Sequence, residues 1–358
     1  MTFDLAARLT ALKQRAAGGR AAIMTHDNPD PDSLAAALGM KRLFERAGIP
    51  STITIGGIIG RAENRAMVRE LKIELVPIER LDWTTHKVVA MVDTQPNTGN
   101  NSLPSGRRAD VVIDHHPPRS DLGDIAWLDI NTDMGATATI VYGYLEDQKV
   151  PIDPMLATAF LYALKSETRD LGRESGPDER DAYVELSKVA DFERLYCIQN
   201  PKLGREHFVA LDRALRAAVV WGEMLAINLG ALDYPDLVAE VADLMLPYEK
   251  AHWVLCVGQH YNTAYLSVRT DINDATAGAL IRRVVGSNGA AGGHGMIAGG
   301  RMFAEVTTEA ALKAVYDELV ARMVRELKIG AMPAPLLPTT RRMSAPAVAS
   351  TMSVRTDR

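Results

Sequence analysis

Acidic and histidine side chains recur in three short strings of the N-terminal half of the chain, THDNPDPDS, MVD and VVIDHH. Carboxylates and imidazoles that are buried together repel one another or stay unpaired unless a cation neutralises them. Oxygen and imidazole ligands without thiolate favour Mn²⁺ or Mg²⁺, with Zn²⁺, Fe²⁺ and Co²⁺ as alternatives. The strings therefore predict a divalent-cation site, with Mn²⁺ preferred, at His26, Asp30, Asp32, Asp93, Asp114, His115 and His116.

The strings hold more ligands than one ion needs, which favours two ions roughly 3.5–4 Å apart that share one carboxylate. Such a pair lowers the pKa of a bridging water and clamps a phosphoryl group from both sides. The predicted chemistry is hydrolysis of a phosphate ester by a two-metal hydroxide mechanism. Each string also has a structural alternative, since Asp30-Pro31 suits a turn and Asp32 or Ser33 suits a helix cap.

Strands and helices alternate around these strings. Continuous apolar runs predict strands at residues 21–25, 51–55, 87–92 and 110–113, and helical patterns occupy residues 31–48, 63–71, 133–147 and 154–165. This alternation is typical of a doubly wound α/β domain with a mostly parallel sheet. Ligands bind at the carboxyl ends of the strands in such sheets, so the first, third and fourth predicted strands would bring the three strings to one edge.

The remainder of the chain predicts a helical connector and a smaller α/β domain with a mixed sheet. Apolar patterns predict an antiparallel strand pair at residues 251–258 and 263–269 and a further strand at residues 302–306. Helical patterns occupy residues 274–285 and 309–327. The segment from 331 onward is rich in Pro, Ala, Ser, Thr and Arg, which predicts a disordered tail. The predicted organisation is a first domain at 1–175, the helical connector at 176–247, a second domain at 248–330 and the tail at 331–358.

Composition and charge limit the classes of function. The chain is 47% hydrophobic and 24% charged, as ordinary folded proteins are, and its net charge of -5 disfavours binding of long duplex nucleic acid. Its two cysteines form no CxxC spacing, which disfavours thiolate zinc sites and fits a reducing cytoplasm. The first residues have the spacing of an amphipathic helix rather than a signal peptide, and no long apolar run predicts a membrane span. We therefore expect a cytoplasmic protein without a membrane partner.

The ordered strings HDNPDPDS, MVD and VVIDHHP resemble the DHH superfamily of phosphoesterases, which includes family II inorganic pyrophosphatases, RecJ exonucleases and nanoRNase/pAp phosphatases. The later string AAGGHGMIAGGRM is similar to the GGGHxxAAG signature of the DHH-associated second domain (DHHA1). The resemblance implies two catalytic residues, His116 on the substrate phosphate and Asp114 in support. It also implies metal ligands as follows: His26 and Asp30 on one ion, Asp32 and His115 on the other, and Asp93 bridging.

A fourth superfamily motif departs from its usual form. The superfamily places an Asp in a string like TDT after an apolar helix, whereas this chain has ALKSETRDLGR with Glu167 at that position. Glu ligates a metal through one extra methylene, so Glu167 is predicted as a further metal ligand, with Asp170 ranked below it. The structural alternative for both is a solvated helix end.

The Gly-rich stretch at 289–301 is the predicted substrate-binding element of the second domain. Its glycines permit positive φ and close backbone approach, which suits an anion, and a flexible hairpin is the structural alternative. The resemblance assigns the same role to the His of this stretch and to an Arg on a preceding strand. The predicted substrate-binding residues are Arg269, Gly292, Gly293, His294 and Arg301.

The predicted substrates are very short oligonucleotides, pAp-like bisphosphonucleosides or linear dinucleotides. Hydrolysis of very short oligonucleotides would include 3′-5′ exoribonuclease activity. Hydrolysis of inorganic pyrophosphate or polyphosphate is an alternative, although it needs denser Lys and Arg than the second domain offers. A catalytically weakened nucleotide-binding regulatory protein is another alternative, and Glu167 is its only support. The sequence leaves the oligomeric state open, with a homodimer as one option.

Overall fold

The computed structural model describes residues 4–272 and 275–337, apart from the side chain of His294. The chain divides into two compact units, unit 1 at Met1–Leu203 and unit 2 at Gly204–Arg358. Two predicted features reach beyond the described residues, namely the tail from residue 338 onward and the start of the helix at Asp274. No helix of the described part of the chain combines the length and apolar character that a membrane crossing needs.

Unit 1 contains a six-stranded sheet. Its strands are β1 (Arg20–Met24), β2 (Ser51–Ile55), β3 (Leu75–Pro77), β4 (His86–Val92), β5 (Val111–Asp114) and β6 (Trp127–Ile130). All neighbouring strands pair in parallel, in the order β3-β2-β1-β4-β5-β6. This is the strand order of a doubly wound sheet and confirms the predicted fold class.

Two strands of this sheet are not among the predicted ones. β3 has three residues, too few for a sequence pattern, and β6 reads WLDI, in which Asp129 interrupts the apolar run. Both lie at the edges of the sheet, where burial on two faces is not required.

The helices of unit 1 are α1 (Leu5–Ala16), α2 (Pro31–Arg46), α3 (Ala62–Glu70), α4 (Thr137–Asp147), α5 (Pro154–Glu167), α6 (Pro177–Ser187) and α7 (Phe192–Gln199). The central helix α2 packs against α4 and α5 at Gly39. A Cβ atom at Gly39 would lie 2.6 Å from both Phe160 Cζ and Val141 Cγ1, so only glycine allows this approach. The tight packing fixes the N-terminus of α2, which carries part of the first acidic string.

Unit 2 is built around a seven-stranded mixed sheet. Its elements are α8 (Arg205–Ala217), β7 (Val219–Trp221), β8 (Met224–Ala231), α9 (Leu237–Met245), β9 (Trp253–His260), β10 (Thr263–Thr270), α10 (Ala277–Val285), β11 (Gly289–His294), β12 (Ile297–Glu305), α11 (Glu309–Glu326) and β13 (Ala334–Pro335). The strand order is β11-β12-β10-β9-β8-β7-β13. β8 and β9 pair in parallel and the other neighbours pair antiparallel, which confirms a mixed sheet.

The structure differs from the sequence prediction in three stretches. Residues 176–247, predicted as a helical connector, include strands β7 and β8 as well as four helices, and the boundary between the units falls after Leu203. The apolar string MLAINLGA of β8 lies among helix-forming residues, and its burial against α8 and α9 makes it a strand. The Gly-rich stretch is a hairpin of β11 and β12 rather than a loop. Residues 334–335 belong to the predicted disordered tail but pair with β7 as strand β13.

Candidate metal centre

Three loops at the carboxyl ends of the strands in unit 1 carry the acidic and histidine strings. The chain leaves β1 toward β2 on one side and leaves β4 toward β5 on the other side, so the neighbours β1 and β4 form a topological switch point. Open α/β sheets bind ligands at such points, beyond the carboxyl ends of the strands. His26 follows β1, Asp93 directly follows β4, and Asp114 ends β5. The sheet thus brings the three strings together.

Asp93 lies in the middle of this cluster and is 3% exposed. Its Oδ2 atom is 3.6 Å from His26 Nε2, and its Oδ1 atom is 3.7 Å from His115 Nε2 and 3.5 Å from His116 Nδ1. Two groups of possible ligand atoms, each within 4.8 Å, overlap at this residue. One group is His26, Asp30 and Asp93, and the other is Asp93, His115 and His116. The position of Asp93 in both groups fits a carboxylate that two cation sites share.

Asp30 is both the N-cap of α2 and a member of the cluster. Its carboxylate accepts a hydrogen bond from Ser33 N at 3.0 Å, and its Oδ1 atom lies 3.8 Å from His26 Nε2. Burial acts to raise the pKa of Asp30, but the hydrogen bond and charge of His26 and the backbone N–H of Ser33 outweigh it and hold the pKa below its usual value. Asp30 is therefore a carboxylate, the form that binds cations.

Asp32 is held by the N-terminus of α4. Its Oδ2 atom accepts a hydrogen bond from Thr137 N at 2.8 Å, and its Oδ1 atom accepts one from Ala138 N at 2.7 Å. The hydroxyl of Thr137 donates to Asp93 Oδ1 at 3.0 Å, so one residue of α4 touches two predicted ligands. His115 Nε2 lies 3.9 Å from Asp32 Oδ2, so the fold brings these two predicted ligands near each other. The sequence analysis did not identify Thr137.

The electrostatics of the buried carboxylates favour a cation. Burial raises the pKa of Asp32 well above its usual value, and the charges of Asp30 and Glu167 raise it further. Burial also raises the pKa of Asp93, with Asp32 and Asp30 as the next causes. The raised values mean that the fold alone stabilises these two negative charges poorly. A divalent cation among the oxygen and imidazole atoms would supply the missing neutralisation, so the residues fit a metal.

Asp114 orients His116. The Oδ1 atom of Asp114 accepts hydrogen bonds from His116 N at 3.1 Å and His116 Nδ1 at 2.8 Å. Its Oδ2 atom accepts one from Gln95 Nε2 at 2.8 Å, a buried contact that the sequence analysis did not predict. Burial opposes both charges, yet their mutual hydrogen bond lowers the pKa of Asp114 and raises the pKa of His116. The bond at Nδ1 fixes the orientation of the His116 ring.

Glu167 ends α5 beside the cluster, although it belongs to neither group of converging ligand atoms. Burial, followed by the charge of Asp30, raises the pKa of Glu167 to about 7, while Arg173 and His116 act to lower it. The lower-ranked alternative, Asp170, is exposed and pairs with Lys165. Of the two acidic residues, Glu167 is the one that the cluster influences.

The sequence pattern of the DHH family, N-terminal domain, matches residues 20–164. These residues contain every strand of unit 1 and all three acidic and histidine strings. Residues 20–164 of this chain are thus similar to a DHH-family domain. The predicted resemblance is confirmed, and the third string is the Asp-His-His run after which the family is named.

Two curated proteins illustrate how this chain compares with its relatives. It is 30% identical to an uncharacterized protein of Methanocaldococcus jannaschii over 311 residues, which are 85% of this chain and 63% of that protein. It is 30% identical to a probable manganese-dependent inorganic pyrophosphatase of Deinococcus radiodurans over 176 residues, 47% of this chain and 54% of that protein. The matches thus span less than two thirds of these relatives.

A solved structure shares the fold of this chain. The exopolyphosphatase-related protein of Bacteroides fragilis superposes with a TM-score of 0.70 and 15% identity. The match covers 92% of this chain and 99% of that one. At this level of identity the likeness concerns the fold.

The predicted substrate-binding residues lie on the sheet of unit 2. Arg269 on β10 is buried, and its Nε atom donates to Asp243 Oδ1 at 2.6 Å. Arg301 on β12 is exposed. Gly292 and Gly293 on β11 pair with residues 299 and 298 of β12, and the side chain of His294 lies outside the described atoms. Arg269 is thus already paired within unit 2, whereas Arg301 faces solvent.

Proposed function

We propose that this chain is a metal-dependent phosphoesterase that hydrolyses short phosphorylated substrates. The observation that carries the proposal is the position of Asp93, which belongs to two overlapping groups of ligand atoms at the switch point of the sheet. Manganese stands in the name of the Deinococcus radiodurans relative, and the oxygen and imidazole ligands suit the same ion. We therefore propose two Mn²⁺ ions, with Mg²⁺ or Co²⁺ as substitutes.

The proposed ligands are those that the sequence predicts, and each has a distinct role. Asp93 bridges the two sites, with Asp30 and His26 on one side and Asp32 and His115 on the other. Glu167 is proposed as a further ligand of the first site because the charge of Asp30 acts on it. Divalent cations, when bound in such a pair, polarise phosphoryl oxygens and supply a nucleophilic water at neutral pH.

The remaining chemistry belongs to His116 and Asp114. Asp114 holds the imidazole through Nδ1 at 2.8 Å and thereby fixes the direction in which Nε2 points. The same contact raises the pKa of His116, which favours a ring that carries protons on both nitrogens. His116 is proposed to donate a hydrogen bond from Nε2 to a phosphoryl oxygen and to stabilise the charge that develops there.

The proposed substrates are very short oligonucleotides, pAp-like nucleotides or linear dinucleotides. The net charge of -5 supports small substrates over long nucleic acid, because long duplexes require a broad cationic surface. Arg301 and the Gly-rich hairpin of unit 2 are proposed to contact the substrate. A second candidate is hydrolysis of inorganic pyrophosphate, which the name of the Deinococcus radiodurans relative favours.

A substrate panel tests the proposal. The purified chain with Mn²⁺ is incubated with pApA, pAp, linear pGpG, inorganic pyrophosphate and polyphosphate, and the products are separated by ion-exchange chromatography. We expect release of mononucleotides or phosphate from the nucleotide substrates and none with the Asp93→Asn variant. Asp170→Asn is the matched control, since its carboxylate is exposed, and should act like the wild type.

Two outcomes would reverse the proposal. Activity on pyrophosphate alone would favour the second candidate. Nucleotide binding without hydrolysis in the presence of Mn²⁺, Mg²⁺ or Co²⁺, with turnover restored by Glu167→Asp, would favour a weakened regulatory protein instead.

A further inference from the structure

Arg173 is a buried cation whose hydrogen-bonding capacity is largely unused. It is 8% exposed, and its Nη2 atom donates to Glu167 O at 2.7 Å and to Glu167 Oε1 at 3.5 Å. Its Nε atom is buried without a hydrogen-bond partner among the described residues, and Nη1 makes no hydrogen bond to them either. A guanidinium group carries five N–H donors, so most of those of Arg173 have no acceptor.

The backbone that presents Arg173 is strained. Four non-glycine residues around it have positive φ: Arg169 at 48°, Asp170 at 55°, Leu171 at 66° and Glu174 at 43°. Such conformations are unfavourable for residues with a Cβ atom and cluster at ligand-binding and catalytic sites. The sequence between α5 and α6 therefore adopts an unfavourable path that keeps Arg173 at the end of α5.

The segment is also closely packed. A Cβ atom at Gly135 would lie 1.9 Å from Glu174 O, so the segment lies directly against the turn that leads into α4. That turn supplies the N–H groups that hold Asp32. Arg173 is thus fixed, through its own segment, relative to a predicted ligand of the metal centre.

The surroundings of Arg173 do not use its charge fully. Glu167 faces it at 3.5 Å and Glu174 at 3.9 Å, both longer than an ideal charge-assisted hydrogen bond. Arg guanidinium groups match phosphoryl oxygens in geometry and charge, and an oxyanion would satisfy donors that the described protein leaves open. The charge of Arg173 acts on Glu167 at the edge of the carboxylate cluster, where the substrate phosphate of the proposed reaction would lie.

We propose that Arg173 is a phosphate-binding residue of unit 1, whose guanidinium donates to a non-bridging oxygen of the substrate phosphoryl group. This inference rests on the proposed function, because it places the phosphoryl group at the metal centre. It assigns a cationic phosphate contact to unit 1, in addition to the contact that is proposed for Arg301 in unit 2. A residue that only supported Glu167 would affect cation binding and leave phosphate affinity at saturating Mn²⁺ unchanged.

The test measures binding of inorganic phosphate to the Mn²⁺-saturated full chain by isothermal titration calorimetry. Arg173→Met should weaken phosphate binding about 10- to 100-fold, the loss expected for one charge-assisted contact. Arg169→Met is the matched control, since it removes one positive charge from an exposed position of the same segment. It should change the affinity by less than about threefold. Wild-type phosphate affinity in a folded Arg173→Met variant would overturn the inference.

A second measurement uses the wild type and does not depend on how the variant folds. The Nε–H resonance of Arg173 in the ¹⁵N-labelled chain saturated with diamagnetic Mg²⁺, assigned by its loss in Arg173→Lys, should shift as phosphate is added, with the Kd that calorimetry gives for the same Mg²⁺ form. A resonance that stays in place, or a wild type that binds no phosphate, overturns the inference. Neither measurement requires turnover. Arg173-dependent phosphate binding without hydrolysis would therefore refute the proposed function alone, and hydrolysis with unchanged phosphate binding would refute this inference alone.

Discussion

The hydroxyl of Thr137 should control the affinity of the metal centre even though it is not a proposed ligand. Thr137 is fully buried, and its Oγ1 atom donates to Asp93 Oδ1 at 3.0 Å. Thr137→Val replaces the hydroxyl by a methyl group of similar size and keeps the backbone N–H that holds Asp32. The change therefore removes one hydrogen bond to the shared carboxylate and leaves the rest of the contacts.

The size of the effect follows from the type of bond that is lost. A hydrogen bond to a charged group contributes about 1.5–3 kcal/mol, and loss of a partner that orients a metal ligand typically costs about 10- to 100-fold in metal affinity. The two figures agree, because a factor of 10 corresponds to about 1.4 kcal/mol. We expect the Kd for Mn²⁺ to rise about 10- to 100-fold in Thr137→Val.

Electron paramagnetic resonance of free Mn²⁺ during titration measures this Kd directly. Thr137→Ser keeps the hydroxyl and serves as the control, with an expected change of less than about threefold. If Thr137→Val bound Mn²⁺ as tightly as the wild type, the bond to Asp93 would have no role in orienting the shared ligand. The reasoning from α4 to the metal centre would then be refuted.

Three further predictions concern the scaffold and its charges. Glu179→Ala should lower the free energy of unfolding in urea by about 2–4 kcal/mol. The reason is that Glu179 accepts the N–H groups of Gly135 at 2.9 Å and of Gly176 at 2.7 Å. A loss below about 1 kcal/mol would contradict this. Gly39→Ala should lower the same free energy of unfolding by about 1–3 kcal/mol, because the added methyl group overpacks the contact between α2 and its neighbours. An unchanged free energy of unfolding would show that the helices move apart freely. The raised pKa values of Asp32 and Asp93 mean that the metal-free fold loses stability as pH rises through them, since the unfolded chain ionises at lower pH. The increase in Tm on adding Mn²⁺ should therefore be larger at pH 8 than at pH 5, and calorimetric scans that give an equal or smaller increase at pH 8 would disprove the electrostatic argument.

Much of the fold was predictable because its core strands are continuous apolar runs. The predicted strand at 51–55 has the bounds of β2, the one at 87–92 misses the first residue of β4, and the predicted strands at 21–25 and 110–113 are displaced by one residue at both ends from β1 and β5. β8 was not predicted because its surroundings favour helix and only its tertiary neighbours make it a strand. Local pattern therefore identifies apolar runs bounded by polar loops and misses a strand whose sequence neighbours favour helix, even where, as in β8, the strand is buried on both faces.

The same distinction holds at the metal centre. The acidic and histidine strings are recognisable because each follows a strand in the sequence. Thr137 and Gln95 have no such signal, since their partners are defined by tertiary contact. Thr137 meets Asp93 across 44 residues, and Gln95 meets its acidic partner across 19 residues. Residues that orient ligands are thus visible only once the chain is folded.

The structural and functional interpretations of the first acidic string turn out to be compatible. Asp30 caps α2, as the structural alternative holds, and the same carboxylate faces His26 in a group of ligand atoms. Asp32 accepts two N–H groups from the N-terminus of α4 and lies within 3.9 Å of His115. Helix N-termini stabilise negative charge, so two helices direct these carboxylates before a cation arrives. Each oxygen that accepts one N–H keeps a second lone pair for a metal, which is how one side chain can complete a helix and also hold an ion.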